Sequence, residues 1–215
     1  MADSSSFPVG AHATAETAPG ASPFHVKGVL YRGTQEYFAK EVPGGIEALY
    51  AQLADDPALL AFIQQTFLPS SWYDVLPAAR LIRAEARAVG LTLARYLRLR
   101  TRYQAERDIG GVYRVLLKLA SPDLVANRLP RLMAQMFDFG TTDTRVLATG
   151  HLDMRMRAFP AALVDWYVGC FGVYADVALR LAGAQNVAVT TKTPLPDGDR
   201  DGIPLVVIGI EVRYS

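Results

Sequence analysis

The sequence predicts an α+β domain in which N-terminal helices precede a β-β-α-β-β unit, with a four-stranded antiparallel sheet and a long central helix. Three observations predict this class. Apolar residues recur at helical spacing through the first two thirds of the chain, whereas residues 151–158 alternate between polar and apolar. Apolar residues form 51% of the 215 residues, which is enough for a buried core. We therefore expect one domain over residues 24–215, after a disordered tail over residues 1–23 that is rich in Ala, Ser, Thr, Pro and Gly.

Composition narrows the class of protein further. The net charge is +1, so no global field favours nucleic acid or a membrane surface, and we expect no sequence-specific nucleic-acid partner. The single cysteine, Cys170, permits neither an internal disulfide nor a cysteine-based zinc site and suits a reducing compartment. Asp165, Asp176 and Arg180 interrupt the most apolar stretch, residues 161–183, so we expect no membrane span. Together these features predict a soluble cytoplasmic protein.

Proline, glycine and capping residues divide the first part of the chain into helices. Asp56 and Ser121, each followed by a proline, are predicted N-caps, and Asp74 is predicted to cap the helix that runs to residue 89. Pro130 is expected to kink or divide the helix that it interrupts. The helices are predicted within residues 26–41, which open with a short strand, and over residues 46–53, 57–67, 74–89, 91–107, 112–119 and from 122 to near 140.

The pattern then changes to period two. Residues 144–149 and 151–158 are predicted to form a hairpin with Gly150 at the turn, followed by a long helix over residues 161–182. Residues 187–193 and 205–214 supply the last two strands. Residues 196–198, Pro-Asp-Gly, have the chemistry of a turn between them.

The long helix has two faces. One is a narrow stripe in which Asp176 and Arg180 can pair at i, i+4 and two glycines permit a close approach of another backbone. The stripe comprises Asp165, Gly169, Gly172, Asp176 and Arg180. The other face is aromatic: it is either core against the sheet or the wall of an apolar cavity for a small ligand. It comprises Trp166, Tyr167, Cys170, Phe171, Tyr174, Val177 and Leu181.

Catalytic and metal-binding motifs do not emerge from the sequence. The histidines lack the i, i+4 partner of a helical metal site, although His25 or His151 as an axial haem ligand stays open as an alternative. The run Asp-Gly-Asp-Arg-Asp-Gly over residues 197–202 has Ile208 where a calcium loop has its glutamate, and we interpret it as a hairpin turn. Eight arginines over residues 80–107 are interpreted as solvated helix faces, with an acidic partner as the alternative. We expect no enzyme activity.

Several short segments resemble a family of myxobacterial proteins of about this length, over residues 27–214. They are Ser71-Trp72-Tyr73, Gly111-Val112-Tyr113-Arg114, Leu119-Ala120-Ser121-Pro122-Asp123, Arg128-Leu129-Pro130, Phe137-Asp138-Phe139-Gly140 and Phe159-Pro160. That family is similar in fold to haem–nitric oxide-binding (H-NOX) domains and to vinyl-4-reductase-type ligand-binding domains, which in turn resemble TRAPP vesicle-tethering subunits. The resemblance implies helices before a four-stranded sheet, and binding of haem, aromatic effectors or acyl chains, or docking on partner proteins.

The cofactors of these relatives do not carry over. The H-NOX haem pattern includes a helical histidine and a Tyr-x-Ser-x-Arg run. Here residues 103–107 place Ala105 at the serine position, and no helical histidine exists. The cysteines with which vinyl-4-reductase-type domains bind zinc are absent from residues 193–204. We therefore expect no cofactor.

These observations predict a non-enzymatic sensing or regulatory domain that captures a small aromatic or acyl ligand in a pocket beside the long helix. The predicted pocket residues are Trp166, Cys170 and Tyr174, with Trp72, Tyr73, Tyr113 and Phe137 as further contributors. The alternative is a docking or scaffold module, homodimeric or bound to signalling proteins, that makes contact through the stripe with Gly169 and Gly172 or through the arginine-rich residues 80–107.

Overall fold

A computed structural model describes residues 17–108 and 121–215, without the side chains of residue 108 and residues 129–133. It confirms the α+β class. The described residues form seven α-helices, and a short 3-10 turn, Ala161–Leu163, leads into the last of them. The helices are α1 (Val29–Glu41), α2 (Gly45–Ala51), α3 (Pro57–Gln64), α4 (Pro77–Ala88), α5 (Leu93–Asp108), α6 (Pro122–Ala134) and α7 (Val164–Leu181).

The strands form two antiparallel sheets. A small sheet pairs β1 (His25–Lys27) with β2 (Trp72–Asp74). The main sheet has the order β3-β4-β7-β5, and β6 also pairs with β7. Its strands are β3 (Thr141–Ala148), β4 (His151–Pro160), β5 (Ala188–Thr191), β6 (Leu195–Arg200) and β7 (Ile203–Arg213).

The main sheet therefore has five strands where the sequence predicted four. The added strand, β6, contains the Pro-Asp-Gly segment that was interpreted as a turn. Its ladder with β7 is irregular between Pro196 and Asp199, as expected where proline removes an N–H donor and Gly198 has a positive φ of 82°. The true turn follows at Asp201 and Gly202.

The predicted hairpin and helix starts are largely confirmed. Gly150 connects β3 to β4 with a φ of 74°, the Asp56 side chain caps α3, and Ser121 Oγ accepts a hydrogen bond from the amide of Leu124 at the start of α6. One helix prediction was wrong, because Asp74 ends β2 instead of capping α4. Pro130 does not divide its helix, since α6 spans position 130 as one element.

The described part of the chain includes residues 17–23 of the predicted tail. Residues 1–16 lie outside the described residues. Ser22 is 5% exposed, and the amides of Gly20 and Ser22 both donate to the Asp74 carboxylate. Hydrogen bonds to Asp74 thus hold the described N-terminal segment against the end of β2.

By length and composition alone, Ala161–Leu181 could cross a membrane. In the structure this segment is a core helix. Trp166, Tyr167 and Phe171 of α7 are buried, and the Tyr167 ring packs against Phe159 of β4 at 4.8 Å between ring centroids. Three members of the predicted aromatic face, Trp166, Tyr167 and Phe171, are thus in the core, whereas Cys170, Tyr174, Val177 and Leu181 of the same face are only partly buried.

The glycine stripe of α7 faces other parts of the same chain. A Cβ added at Gly169 would lie 3.0 Å from Leu97 Cδ1 of α5, and one at Gly172 would lie 4.0 Å from Val189 Cγ1 of β5. Asp176 forms the predicted bond with Arg180, at 2.6 Å, and a second ion pair with Arg102 of α5. Gly169 therefore allows the Leu97 side chain of α5 to pack closely on α7, whereas Gly172 makes only an ordinary contact with β5.

Candidate functional site

The predicted site residues divide among three places. Trp166 and Phe137 meet in the core, where their rings pack edge to face at 6.1 Å. Tyr167 touches Phe137, and Phe139 touches both Phe137 and Phe159. We call this set the aromatic cluster; it comprises Phe24, Phe137, Phe139, Phe159, Trp166, Tyr167 and Phe171. Its members fill the space in which the sequence left a cavity as one of two alternatives.

Trp72 and Tyr73 lie elsewhere, on β2, where they line an open groove of about 500 Å³. We call it the β2 groove. Trp72 is 44% exposed, and Lys27 Nζ lies 3.7 Å from the centroid of its ring. The groove combines flat apolar walls with a few polar groups, which is the composition of sites that orient a small molecule. It is lined by Pro19, Gly20, His25, Ala58, Ala61, Phe62, Gln65, Trp72, Tyr73 and Asp74.

The floor of the β2 groove is rigid because Asp74 organises three segments. Its carboxylate accepts hydrogen bonds from the amides of Gly20 and Ser22 and from the Ser22 hydroxyl, at 2.5 Å. The amide of Leu76, just before α4, is a fourth donor at 2.9 Å. The Tyr31 hydroxyl of α1 donates to the backbone carbonyl of Asp74. Asp74 is 3% exposed, and these bonds offset the cost of burying its charge.

A second cluster is polar and lies where α1, α4, α5 and α7 meet. Its centre is Glu85 of α4, which is 2% exposed. The Glu85 carboxylate accepts hydrogen bonds from the Tyr96 hydroxyl at 2.7 Å and from the Thr34 hydroxyl at 3.2 Å. Burial raises the pKa of Glu85 above its ordinary value, and the positive charge of Arg100 opposes that rise.

Arg100 of α5 is buried beside this carboxyl, with 8% of the residue exposed. Its Nη1 donates to Gln104 at 3.0 Å, and its guanidinium lies 5.0 Å from the centroid of the Tyr37 ring. The Nε atom is buried without a hydrogen-bond partner among the described residues. The interpretation of the arginines as solvated was therefore wrong at Arg100.

Cys170 joins α7 to the same cluster. Its sulfur accepts a hydrogen bond from the Thr101 hydroxyl at 3.3 Å. Burial raises the pKa of the thiol to about 11, although Thr101 and the charge of Arg100 act in the opposite direction. At neutral pH the group is a thiol, not a thiolate. We call this set the polar cluster; it comprises Thr34, Glu85, Tyr96, Arg100, Thr101 and Cys170.

Two predicted residues remain. Tyr174 is half-buried on α7, one turn after Cys170, and Tyr113 lies outside the described residues. The structure thus brings Trp166 and Phe137 together, and Trp72 and Tyr73 together, without joining the two pairs. A ligand-binding role for any of them stays a prediction.

Metal-ligating side chains do not converge in the part of the chain that the structure describes. His25 Nδ1 pairs with Asp138 at 2.5 Å beside the β2 groove, and His151 Nε2 pairs with Glu211 on the main sheet. Both imidazoles are tied to a carboxylate near the surface.

Of the polar cluster, the sequence singled out only Cys170 as a site residue, and the other five members were missed. Glu85 follows Ile82 by three residues and Leu81 by four, so helical spacing places it on the same face as these two buried side chains. A carboxyl on that apolar face was the available signal. It was missed because the charged residues of this region were interpreted as solvated helix faces.

No protein-family model and no curated protein matches the sequence. Solved structures do match the fold. The Fe(II) unliganded H-NOX protein from K. algicida superposes with a TM-score of 0.60 at 10% identity, covering 88% of this chain and 96% of that one. A Cs H-NOX mutant gives 0.58 at 10% identity, covering 88% and 96%. An oxygen-binding H-NOX domain related to soluble guanylate cyclases gives 0.56 at 10% identity, covering 87% and 92%. The chain therefore has an H-NOX-like fold, whereas the myxobacterial, vinyl-4-reductase and TRAPP resemblances stay predictions.

Proposed function

We propose that this chain is a non-enzymatic sensing domain that captures a small ligand with an aromatic or acyl part in the β2 groove. The observation that carries the proposal is the exposed Trp72 ring in the wall of a groove of about 500 Å³. Small-molecule sites commonly have volumes of about 300–1,000 Å³. The solved proteins with this fold include an Fe(II) H-NOX protein and an oxygen-binding H-NOX domain. Their binding of small ligands is consistent with the proposed sensing role.

Capture would depend on flat apolar surfaces. The rings of Phe62, Trp72 and Tyr73 present apolar area at a low cost in side-chain entropy, and a planar or extended apolar group can stack on them. Tyr73 is held in place because its hydroxyl accepts a hydrogen bond from the amide of Leu68 at 2.9 Å. The side chains of His25 and Gln65 at the groove supply polar contacts that would orient the ligand.

The output would pass through Asp74. This residue fastens the N-terminal segment, the end of β2 and the start of α4, so a ligand that displaces any of them changes how α4 is held. Helix α4 carries Glu85, whose carboxyl contacts α1 and α5. Helix α5 contacts α7 through Thr101 and Leu97. Because α7 packs on the main sheet, a displacement of α5 would also reach the sheet. A shift in helix packing is therefore the expected signal.

The described residues do not fit a haem. The two described histidines are both paired with carboxylates near the surface, and the Cys170 thiol is protonated at neutral pH and bonded to Thr101. The aromatic cluster occupies the interior between α7 and the sheet. The proposed sensing mechanism uses no step through haem. A cytoplasmic location stays a prediction.

Fluorescence can test the groove because the chain has only two tryptophans. In the Trp166→Phe variant, Trp72 is the only emitting tryptophan. We expect 8-anilinonaphthalene-1-sulfonate to quench Trp72 emission on binding, and decanoate to compete with it. Trp72→Ala should weaken binding of the dye about tenfold, since a lost aromatic stack costs about 1 kcal/mol or more.

The matched control is Leu99→Ala on α5, which removes an apolar side chain with 47% exposure, similar to that of Trp72. This variant should bind the dye as the unaltered chain does. If Trp72→Ala binds the dye with unchanged affinity while remaining folded by circular dichroism, the β2 groove is not the ligand site.

A further inference from the structure

The main sheet has an open edge at β3. Among the described residues, only β4 pairs with β3. The strand is eight residues long, twice the length of β5 at the other end of the strand order. Near its end, Val146 is 60% exposed and Leu147 is 56% exposed. Long exposed edges present unpaired backbone groups that accept another strand, and natural proteins usually shorten or cover them.

The charges on this edge are arranged with opposite signs two residues apart. Asp143 and Arg145 point to the same face of the sheet because side chains alternate along a strand. Asp143 lies 3.7 Å from Arg157 of β4 and remains largely exposed. Arg145 forms no ion pair with any residue that the structure describes.

These charges select one register if β3 pairs antiparallel with a second copy of itself. In an antiparallel pair, directly opposed residues point to the same face of the sheet. Two identical strands can therefore pair only in registers in which one residue lies opposite its own copy, and we name each register by that central residue. Centring on Asp143 or Arg145 places that charge against the same charge of the other copy. Centring on Thr142 or Val146 leaves both charges without an opposite partner. Centring on Thr144 places Asp143 of each copy opposite Arg145 of the other, twice in one dimer.

The residue at that centre has an unsatisfied polar atom. Thr144 Oγ1 is buried and has no hydrogen-bond partner in the described part of the chain. Directly opposed threonines on neighbouring strands have Cβ atoms about 5 Å apart and can share a hydrogen bond after rotation about χ1. The same register places Thr142 of the second copy beside the exposed Val146.

We propose that β3 is a self-association edge, at which two copies of this chain join antiparallel strands about Thr144 into a continuous ten-stranded sheet. This surface is independent of the β2 groove and of any ligand there. The partner is a second copy and not an unrelated protein, because one strand supplies both halves of the complementary charge pattern. In this register only residues 141–147 of each β3 strand pair, so the interface is small and the dimer is expected to be weak.

Sedimentation velocity of the full chain, from about 1 µM to about 1 mM, tests this surface at concentrations suited to a weak dimer. Arg145→Asp and Asp143→Arg should each weaken the dimer about tenfold or more, because two attractive cross-strand pairs become repulsive. The double variant that exchanges the two charges should restore association. Arg83→Asp on α4 is the control, since it makes the same charge change on an exposed helix face.

Circular dichroism of each variant separates loss of the dimer from loss of the fold. A chain that remains monomeric at about 1 mM would overturn the proposal. So would a dimer that both single charge variants leave intact, which would place the interface elsewhere, or a double variant as weak as the singles, which would remove the Asp143–Arg145 pairing. Recovery in the double variant alone supports it.

Discussion

Helix α7 contributes to two buried clusters that are built on opposite principles. The aromatic cluster joins it to Phe24 just before β1, to β4 and to the segment before β3 through ring contacts, and shape alone determines how its members fit. The polar cluster joins it to α5, α4 and α1 through hydrogen bonds from hydroxyls to a carboxyl and a thiol. One cluster excludes water by filling space, whereas the other contains groups that respond to pH and to a change of partner.

The difference indicates which part of the molecule can act as a switch. A filled aromatic core has one arrangement of low energy because packing at crystal-like density resists small shifts. The polar cluster is less complete, since Arg100 Nε has no hydrogen-bond partner among the residues that the structure describes and the pKa of Glu85 is raised. Incompletely satisfied buried groups are costly, and a rearrangement that satisfies them is favoured. For the sensing function that we propose, the polar cluster is therefore the element that would transmit the signal.

The largest effect should come from truncating the aromatic cluster. Phe159 is fully buried and contacts both Phe139 and Tyr167. Phe159→Ala should lower the free energy of unfolding by about 3–5 kcal/mol, since it creates a cavity that rigid neighbours cannot fill. Urea denaturation followed by circular dichroism measures this. Trp72→Ala, in the exposed groove, should cost less than about 1 kcal/mol. Equal costs at the two positions would contradict the contrast between core and groove.

The next effect concerns the thiol of the polar cluster. With its pKa raised to about 11, Cys170 has at pH 8 a thiolate fraction about 100-fold below that of an unperturbed thiol. Labelling with 5,5′-dithiobis(2-nitrobenzoate) at pH 8 should therefore be at least that much slower in the native chain than in denaturing urea. Because Cys170 is the only cysteine, the signal has one source.

Thr101→Val sharpens the same measurement. Loss of the Thr101 hydrogen bond removes an effect that lowers the pKa of Cys170, so labelling should become slower still. Faster labelling in a variant that remains folded would mean that access to the sulfur, and not its ionisation, limits the reaction.

Glu85 should give the polar cluster a pH dependence that the aromatic cluster lacks. Glu85→Ala leaves two buried hydroxyl donors without their acceptor and should cost about 2–4 kcal/mol. Because burial raises the pKa of Glu85, the native state binds more protons than the unfolded state above the ordinary glutamate pKa. Its contribution to stability is therefore fully present at lower pH and is lost as pH rises through the native pKa.

Glu85→Gln isolates that contribution because it keeps the shape and a hydrogen-bonding oxygen. In the unaltered chain, the unfolding free energy should begin to fall as pH rises above the ordinary glutamate pKa of about 4.3. The variant should flatten this fall. Glu106→Gln, on the exposed side of α5, should retain the slope of the unaltered chain. An unchanged slope in Glu85→Gln would show that another group titrates.

The sequence specified the aromatic cluster better than the polar one, for a physical reason. Helical periodicity identified the buried face of α7 through Trp166 and Tyr167, because burial of large apolar rings is nearly obligatory. Whether that face was filled or hollow depended on Phe137 and Phe159, which arrive from other elements. Glu85 is buried only because Thr34 and Tyr96 converge on it from α1 and α5, and no local pattern encodes such convergence.

The groove and the fifth strand show the same limit. Trp72 and Tyr73 were predicted as ligand residues, yet their separation from Trp166 follows from the pairing of β1 with β2, in which Val26 pairs with Tyr73, 47 positions later in the sequence. Strand β6 was missed because Pro196 and Gly198 have the chemistry of a turn, and a register shift lets both be accommodated on the edge of β7. Turn residues predict local conformation, whereas the neighbouring strand determines whether pairing resumes.

The smallest predicted effect is the difference in stability between alanine variants of the two glycines of α7, Gly169 and Gly172. Alanine at Gly172 would meet only Val189 Cγ1 at 4.0 Å, an ordinary contact, so Gly172→Ala should raise the free energy of unfolding by about 0.5–1 kcal/mol through helix propensity. Alanine at Gly169 would lie 3.0 Å from Leu97 Cδ1, and Leu97 is buried, so the same gain is offset by a shift of α5. Gly169→Ala should therefore gain little or lose stability in the same urea titration.

Gly169→Ala should also alter the rate of Cys170 labelling, which Gly172→Ala should leave unchanged, because only Gly169 lies on the contact between α5 and α7 that positions Thr101 against the thiol. Equal stabilisation by both alanines, with no change in labelling, would mean that α5 is not held closely against α7 and that the polar cluster has more freedom than its hydrogen bonds indicate.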